Sequence, residues 1–209
     1  MTRSFFIVHG WTGTSTNFIS FIDILEDSGY QVVSYDAVAH GNTPGKSTHF
    51  IEWTDTVRVV LHALGHVHCV VAHSLGGGAV TVASSLGLDT DKLVLISPVH
   101  DAIEVTERFA KALSIPPQTI KKMREYTWKK HCISASKYGS DWKDIFKSDF
   151  RVPTLILHDK DDRKISFDDG KALASQWPWA ELVETKGLGH SRILLDSSVV
   201  KKVVEFISE

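Results

Sequence analysis

Cysteine is nearly absent from this chain. Its 209 residues hold only Cys69 and Cys132, which excludes a disulfide framework and any cysteine-based metal ribbon. Both are read as reduced thiols. Long apolar runs are missing from the start, where Phe5-Phe6-Ile7-Val8 stops at His9, too short for a signal-peptide core or a membrane span. A cytoplasmic protein with no membrane partner is expected. Charge of either sign is not in excess: 23 Lys+Arg against 25 Asp+Glu leave a net −2, without the basic field that draws nucleic acid. Asp159, Asp161 and Asp162 crowd one stretch, but no histidine lies at zinc-like spacing from them. No metal is therefore expected. The 43% hydrophobic content suffices for one well-buried domain over residues 1–209.

The apolar residues that are present come in short continuous runs: Phe5–Val8, Val70–Ala72, Leu93–Ile96 and Leu155–Leu157. Such runs suit strands buried on both faces of a parallel sheet. Between them lie helical patterns, with Phe18, Phe21, Ile22 and Leu25 on one face and Val57, Val60, Leu61 and Leu64 on another. From residue 99 to 150 the strand-helix rhythm breaks. Val105, Phe109, Ala112 and Leu113 make one apolar face there, Pro116-Pro117 opens a second helix, and Ile120, Met123 and Thr127 share a side of it. This segment carries ten Lys/Arg against seven Asp/Glu, and Lys121, Lys122, Arg124, Lys129 and Lys130 stand close together in it. A solvated face is the expected reading of that run. Helices from Gly170 to Gln176 and from Val199 to Ile207 are expected to flank a last strand, Ala180–Glu184.

The most informative stretch is Val70-Val71-Ala72-His73-Ser74-Leu75-Gly76-Gly77-Gly78-Ala79. A β-branched run ends in a serine flanked by small residues, and a helix-compatible stretch follows at once. A turn that sharp strains its apex and brings neighbouring backbones together, so the positions two before and two after the serine must be small. Ala72 and Gly76 meet that demand. Ser74 would then stand clear of the sheet at the positive end of a helix, with the Leu75 N–H free to bind an anion. This stretch resembles the nucleophile elbow of the α/β-hydrolases, Gly-x-Ser-x-Gly, with alanine in the first glycine position.

Other segments carry the same resemblance. His9-Gly10-Trp11-Thr12-Gly13 is similar to the loop after the family's first strand here, which makes the Trp11 backbone N–H the second oxyanion donor. Asp36-Ala37-Val38-Ala39-His40-Gly41-Asn42-Thr43 looks like the family's Asp-x-x-Gly-His-Gly-x-Ser loop, with a structural part for His40. The pattern Gly-x-x-Asp-x-x-Val falls on Asp159, Asp162 and Ile165, so Asp162 becomes the triad acid and Asp159 stands where glycine is usual. His190, on a loop after the final strand, takes the position of the base.

The order Ser74, Asp162, His190 is the hydrolase order. The resemblance implies an α/β fold reduced to about six parallel strands, in spatial order 2-1-3-4-5-6, with helices on both faces and residues 99–150 as a small helical lid. It implies a serine carboxylesterase that cleaves small to medium esters through an acyl-enzyme, without a cofactor. Carbon–carbon bond hydrolysis or thioester hydrolysis on the same triad is an alternative, as is a non-catalytic protein that holds a small ligand. The cationic helix leaves room for an anionic or carrier-linked substrate.

Overall fold

The computed structural model describes residues 3–131, 142 and 145–209. Strands β1 (Ser4–Val8), β2 (Gln31–Tyr35), β3 (Val67–His73), β4 (Thr90–Ile96), β5 (Thr154–Asp159) and β6 (Ala180–Thr185) form one six-stranded sheet in the order β2-β1-β3-β4-β5-β6. All neighbouring pairs are parallel. The expected order and orientation are those observed. A parallel sheet needs crossovers, and helices α1 (Ile19–Asp27), α2 (Phe50–Leu64), α3 (Leu75–Ser84) and α6 (Phe167–Gln176) supply them, while α8 (Ser197–Ser208) follows the last strand and covers one face.

The period-two alternation of side chains sorts the core onto two faces. Phe5 and Ile7 of β1 point with Cys69, Val71, Val94 and Ile96 toward α1 and α8. Phe6 and Val8 point the other way, with Val70, Ala72, Leu93 and Leu95, toward α2, α3 and α6. Both sides of the central strands are covered, which is why these strands read as unbroken apolar runs rather than as alternation.

Register decides where the loops fall. Val8 lies level with both Tyr35 and Ala72, His73 with Ile96, Ile96 with Leu157, and Asp159 with Thr185. The carboxyl ends of all strands therefore lie along one edge, and the loops after β1, β3, β5 and β6 meet there. The strand order changes direction at β1 and β3, where open parallel sheets collect ligands.

Between β4 and β5 the chain forms α4 (Ala102–Ala112) and α5 (Pro117–His131). Asp101 caps α4 by accepting the N–H groups of Ile103 and Glu104 at 2.8 and 2.9 Å. The expected apolar face of α4 is only partly used. Ala102 and Ala110 are buried and Val105 packs at the edge of a small cluster with Ile145, Phe146 and Ile165, but Phe109 and Leu113 are 55% and 58% exposed. On α5, Ile120 is buried while Met123, expected on the same side, is 46% exposed. The reason is tertiary: α4 and α5 rest on each other and on the small cluster around Val99, Ile145 and Phe146 rather than on the sheet. Arg124 is not a free surface cation either, since its guanidinium donates to Thr106 Oγ1 and Glu107 Oε1 at 3.0 and 3.2 Å and joins the two helices.

Several boundaries differ from expectation, α8 starting at Ser197 rather than Val199 and β6 running to Thr185. A 3-10 turn, Ser15–Phe18, precedes α1. Helix α6 starts at Phe167 rather than Gly170 because Ser166 caps it through the Asp168 N–H, and Gly170 lies inside the helix, where a Cβ would come within 2.7 Å of His158 Nδ1.

Burial separates two truncations. Leu93→Ala, in the fully covered centre of β4, should lower the unfolding free energy by about 2–5 kcal/mol in urea titrations. Phe109→Ala should change it by no more than about 0.5 kcal/mol. Comparable losses at both positions would mean that α4 packs its whole apolar face.

Candidate active site

The turn after β3 is built as the sequence suggests. Ser74 has φ 56° and ψ −123°, a left-handed conformation that costs a non-glycine residue about 1–3 kcal/mol and persists only where its surroundings enforce it. They do so by close packing. A Cβ on Gly76 would lie 2.3 Å from the His9 carbonyl oxygen, and one on Gly10 would lie 2.8 Å from Ser74 Cβ. The Ser74 carbonyl accepts the N–H groups of Gly78 and Val99 at 3.1 and 3.2 Å. Hence the turn cannot relax without separating β1, α3 and the chain after β4.

The same packing sets the Gly10-Trp11 backbone against the serine. Among the described residues, neither the Trp11 N–H nor the Leu75 N–H has an acceptor. Leu75 is the first residue of α3, so its amide also stands at the positive end of a helix. The loop that holds Trp11 is braced from β2. Thr12 donates its N–H to His40 Nε2 at 3.1 Å, and His40 Nδ1 bonds the Val38 carbonyl at 3.0 Å. His9 accepts the Ala37 N–H at Nε2, 2.9 Å away. Both histidines are thus occupied in shaping loops, in keeping with the structural part expected for His40.

His190 lies in the one-turn helix α7 (Gly189–Arg192) rather than on an irregular loop. Its Nδ1 is 2.7 Å from Asp162 Oδ2 and its Nε2 is 2.9 Å from Ser74 Oγ. A carboxylate only accepts, so Nδ1 carries the proton and donates it to Asp162, leaving Nε2 to accept from the serine hydroxyl. Asp162 is itself fixed, because its Oδ1 accepts the N–H groups of Lys164 and Ile165 at 2.8 and 3.0 Å. Ser74 and Asp162 are 6% and 8% exposed. Burial alone would raise the Asp162 carboxyl, but the imidazoles of His158 and His190 and the Ile165 N–H outweigh it and hold the group well below the usual carboxylate range. Asp161, one residue away, turns elsewhere: its Oδ2 accepts the Gly187 N–H at 3.0 Å.

Two histidines at this site were not singled out from the sequence. His73 Nε2 donates to the His190 carbonyl at 2.9 Å, with ring centroids 4.6 Å apart. Burial, reinforced by the neighbouring His190, pushes its pKa down to about 3, so it is neutral and a single-proton donor. His158 is fully buried, with Nε2 at 3.6 Å from Asp162 Oδ2. The signal available was a polar residue closing an otherwise apolar strand, in Val70-Val71-Ala72-His73 and in Leu155-Ile156-Leu157-His158. Among the described residues, no group of three or more His, Cys, Asp or Glu is arranged to hold a metal ion, and no helix is long and apolar enough to cross a membrane.

Comparison with known proteins agrees with this architecture. The sequence model of the alpha/beta hydrolase family matches residues 5–205. The chain is 22% identical to the AB hydrolase superfamily protein YisY of Bacillus subtilis, over 97% of its own length and 90% of that protein. It is 25% identical to the bifunctional esterase/perhydrolase DCH of Acinetobacter calcoaceticus, over 94% and 88%. Among solved structures, Est1E of Butyrivibrio proteoclasticus with bound ferulic acid superimposes with a TM-score of 0.71 at 18% identity, covering 99% of this chain and 90% of that one.

The depressed Asp162 carboxyl makes its contribution to stability pH-dependent. Its folded pKa lies below the unfolded value, so the stabilisation is complete above about pH 4 and is lost as the pH falls further. Urea titrations at stepped pH should therefore show the stability gap between the native protein and Asp162→Asn at full size at pH 7 and shrinking steadily below about pH 4. A gap of constant size down to pH 3 would mean that the native fold does not favour the ionised carboxylate.

Proposed function

The chain belongs to the alpha/beta hydrolase family, and from that premise we propose that it is a serine hydrolase that cleaves small to medium carboxylic esters. The observation that supports this reading is the unbroken hydrogen-bonded run from Ser74 Oγ through His190 to Asp162. In the proposed reaction His190 Nε2 takes the hydroxyl proton as Ser74 Oγ attacks the ester carbonyl carbon. The carbonyl oxygen becomes an oxyanion, and the N–H groups of Trp11 and Leu75 receive it, each contributing on the order of 10²- to 10³-fold. Collapse expels the alcohol, protonated by His190. Water, activated by the same imidazole, then releases the acid and restores the serine. Asp162 holds the imidazole in the required tautomer and offsets its charge while it is protonated.

Residues 99–150 are read as the cover of this site. With Asp101 capping α4 and the Val99 N–H bonded to the Ser74 carbonyl, the cover starts directly beside the nucleophile. Residues 132–141, 143 and 144 of it lie outside the described residues; a cover of this length would favour short acyl chains over a long groove. The name of the relative DCH, a bifunctional esterase/perhydrolase, supports the esterase part of this reading. The cations of α5 that stay exposed, Lys121, Lys122, Lys129 and Lys130, would steer an anionic or carrier-linked ester toward the mouth.

A fluorophosphonate probe should label the protein at Ser74, and absence of label would leave only a ligand-holding role. Ser74→Ala and His190→Ala should each lower kcat on p-nitrophenyl butyrate by about 10⁴- to 10⁶-fold, with the double variant no worse, because the residues act as one unit. Losses that multiply would speak against a shared triad. Asp162→Asn should cost about 10⁴-fold, far more than Asp161→Asn. Across p-nitrophenyl esters, turnover should peak at short acyl chains; a maximum at long chains with activation at an oil-water interface would refute the substrate class.

A further inference from the structure

Asp159 closes β5 at a position where the family pattern has glycine, and its side chain is fully buried. A carboxylate in such a place is costly unless each lone pair finds a donor. It finds them on two separate segments. Oδ1 accepts the Asp161 N–H at 2.9 Å, on the loop that carries Asp162. Oδ2 accepts the Thr185 hydroxyl at 2.7 Å and the Leu188 N–H at 3.0 Å, on the segment that leads into His190. These bonds to a charged acceptor outweigh burial and hold the carboxyl below its ordinary range.

Thr185 is the last residue of β6 and lies level with Asp159 in the sheet. Leu188 is two residues before His190. One carboxylate thus joins the ends of both strands and grips the loops of the acid and the base at once. Glycine could form none of these contacts. Without that acceptor the Leu188 N–H and the Thr185 hydroxyl would be unpaired, and residues 185–188 would be tied to the end of β5 only by the Lys160 N–H on the Thr185 carbonyl and the Gly187 N–H on Asp161, which loosens the approach to His190. On the far side, His73 Nε2 holds the His190 carbonyl, so a shift of the segment would turn the imidazole about that fixed point.

We propose that Asp159 is a positioning residue which, on the reading that Ser74, His190 and Asp162 form the triad, sets the reach of His190 Nε2 to Ser74 Oγ by clamping residues 185–188 to the end of β5. It touches no reacting atom. Its effect passes through His190, directly by the 185–188 segment and indirectly by the loop of Asp162, which itself acts on His190.

The test is a double-mutant cycle on p-nitrophenyl butyrate, with fluorophosphonate labelling rates used where turnover is slow. Asp159→Ala should lower kcat by about 10²-fold, the usual consequence of an ångström-scale misplacement, while KM stays within about twofold. Asp159→Asn, which keeps one acceptor oxygen, should recover part of the loss, and Thr185→Val should cost about 3- to 10-fold. In a His190→Ala background each of these changes should have no further effect, to within about twofold. Equal losses in both backgrounds, or a lower urea midpoint with kcat unchanged, would overturn the proposal and leave Asp159 a purely structural residue. If Asp159→Ala does not fold, Asp159→Asn and Thr185→Val complete the same cycle. A His190→Ala protein as active as the native one would overturn the triad reading, and this proposal with it, in a separately recognisable way.

Discussion

The backbone of Ser74 is the constraint on which the rest of the structure depends. At φ 56° it occupies a conformation that the residue would leave if it could. It is held there because Gly76 meets the His9 carbonyl and Gly10 meets Ser74 at distances that admit no side chain. These contacts in turn require β1 and β3 to be neighbours in parallel register. The β1–β3 pairing thus brings the backbones together at this one residue, and the Trp11 and Leu75 amides, which have no acceptor among the described residues, lie at the same close approach.

A second layer of order lies in how the loops are joined. Segments at the site are fastened by side chains from elsewhere in the chain: Thr12 by His40, Gly187 by Asp161, the His190 carbonyl by His73 at the end of β3. The histidines and carboxylates concentrated along the carboxyl edge of the sheet are mostly occupied with backbone groups. The three aspartates within four residues at the end of β5 bond to peptide N–H groups, to the Thr185 hydroxyl or to imidazole. Buried polar groups placed in this way reduce the freedom of loops that would otherwise fluctuate, and geometry at a nucleophile tolerates little fluctuation.

The helices between β4 and β5 follow different rules. They rest on a small cluster around Val99, Ile145, Phe146 and Ile165 rather than on the sheet. Their outer turns keep Phe109, Leu113, Met123 and Tyr126 exposed. Apolar periodicity there marks helix formation correctly but not burial, since periodicity reports only what a face could bury and not whether a partner lies opposite it.

Strand identity and the turn at Ser74 were legible in the chain because each depends on local chemistry, whereas the strand order followed from the resemblance to the α/β-hydrolases. Continuous β-branched runs belong to doubly covered parallel strands, and a serine between small residues at the end of such a run has few conformations open to it. Phe167 as the true start of α6, the one-turn helix around His190, the exposure of Phe109 and the contacts of His73, His158 and Asp159 were not legible. All of these depend on which groups from distant segments meet: Ser166 with the Asp168 amide, His73 with a carbonyl 117 residues away, Asp159 with Thr185. The sequence by itself determined the layered fold, and its resemblance to the α/β-hydrolases pointed to the edge of the sheet at which Ser74, Asp162 and His190 gather. Tertiary structure alone decided the distances between them, because hydrogen bonds between loops are set by strand register and packing, and no pattern along the chain encodes that register.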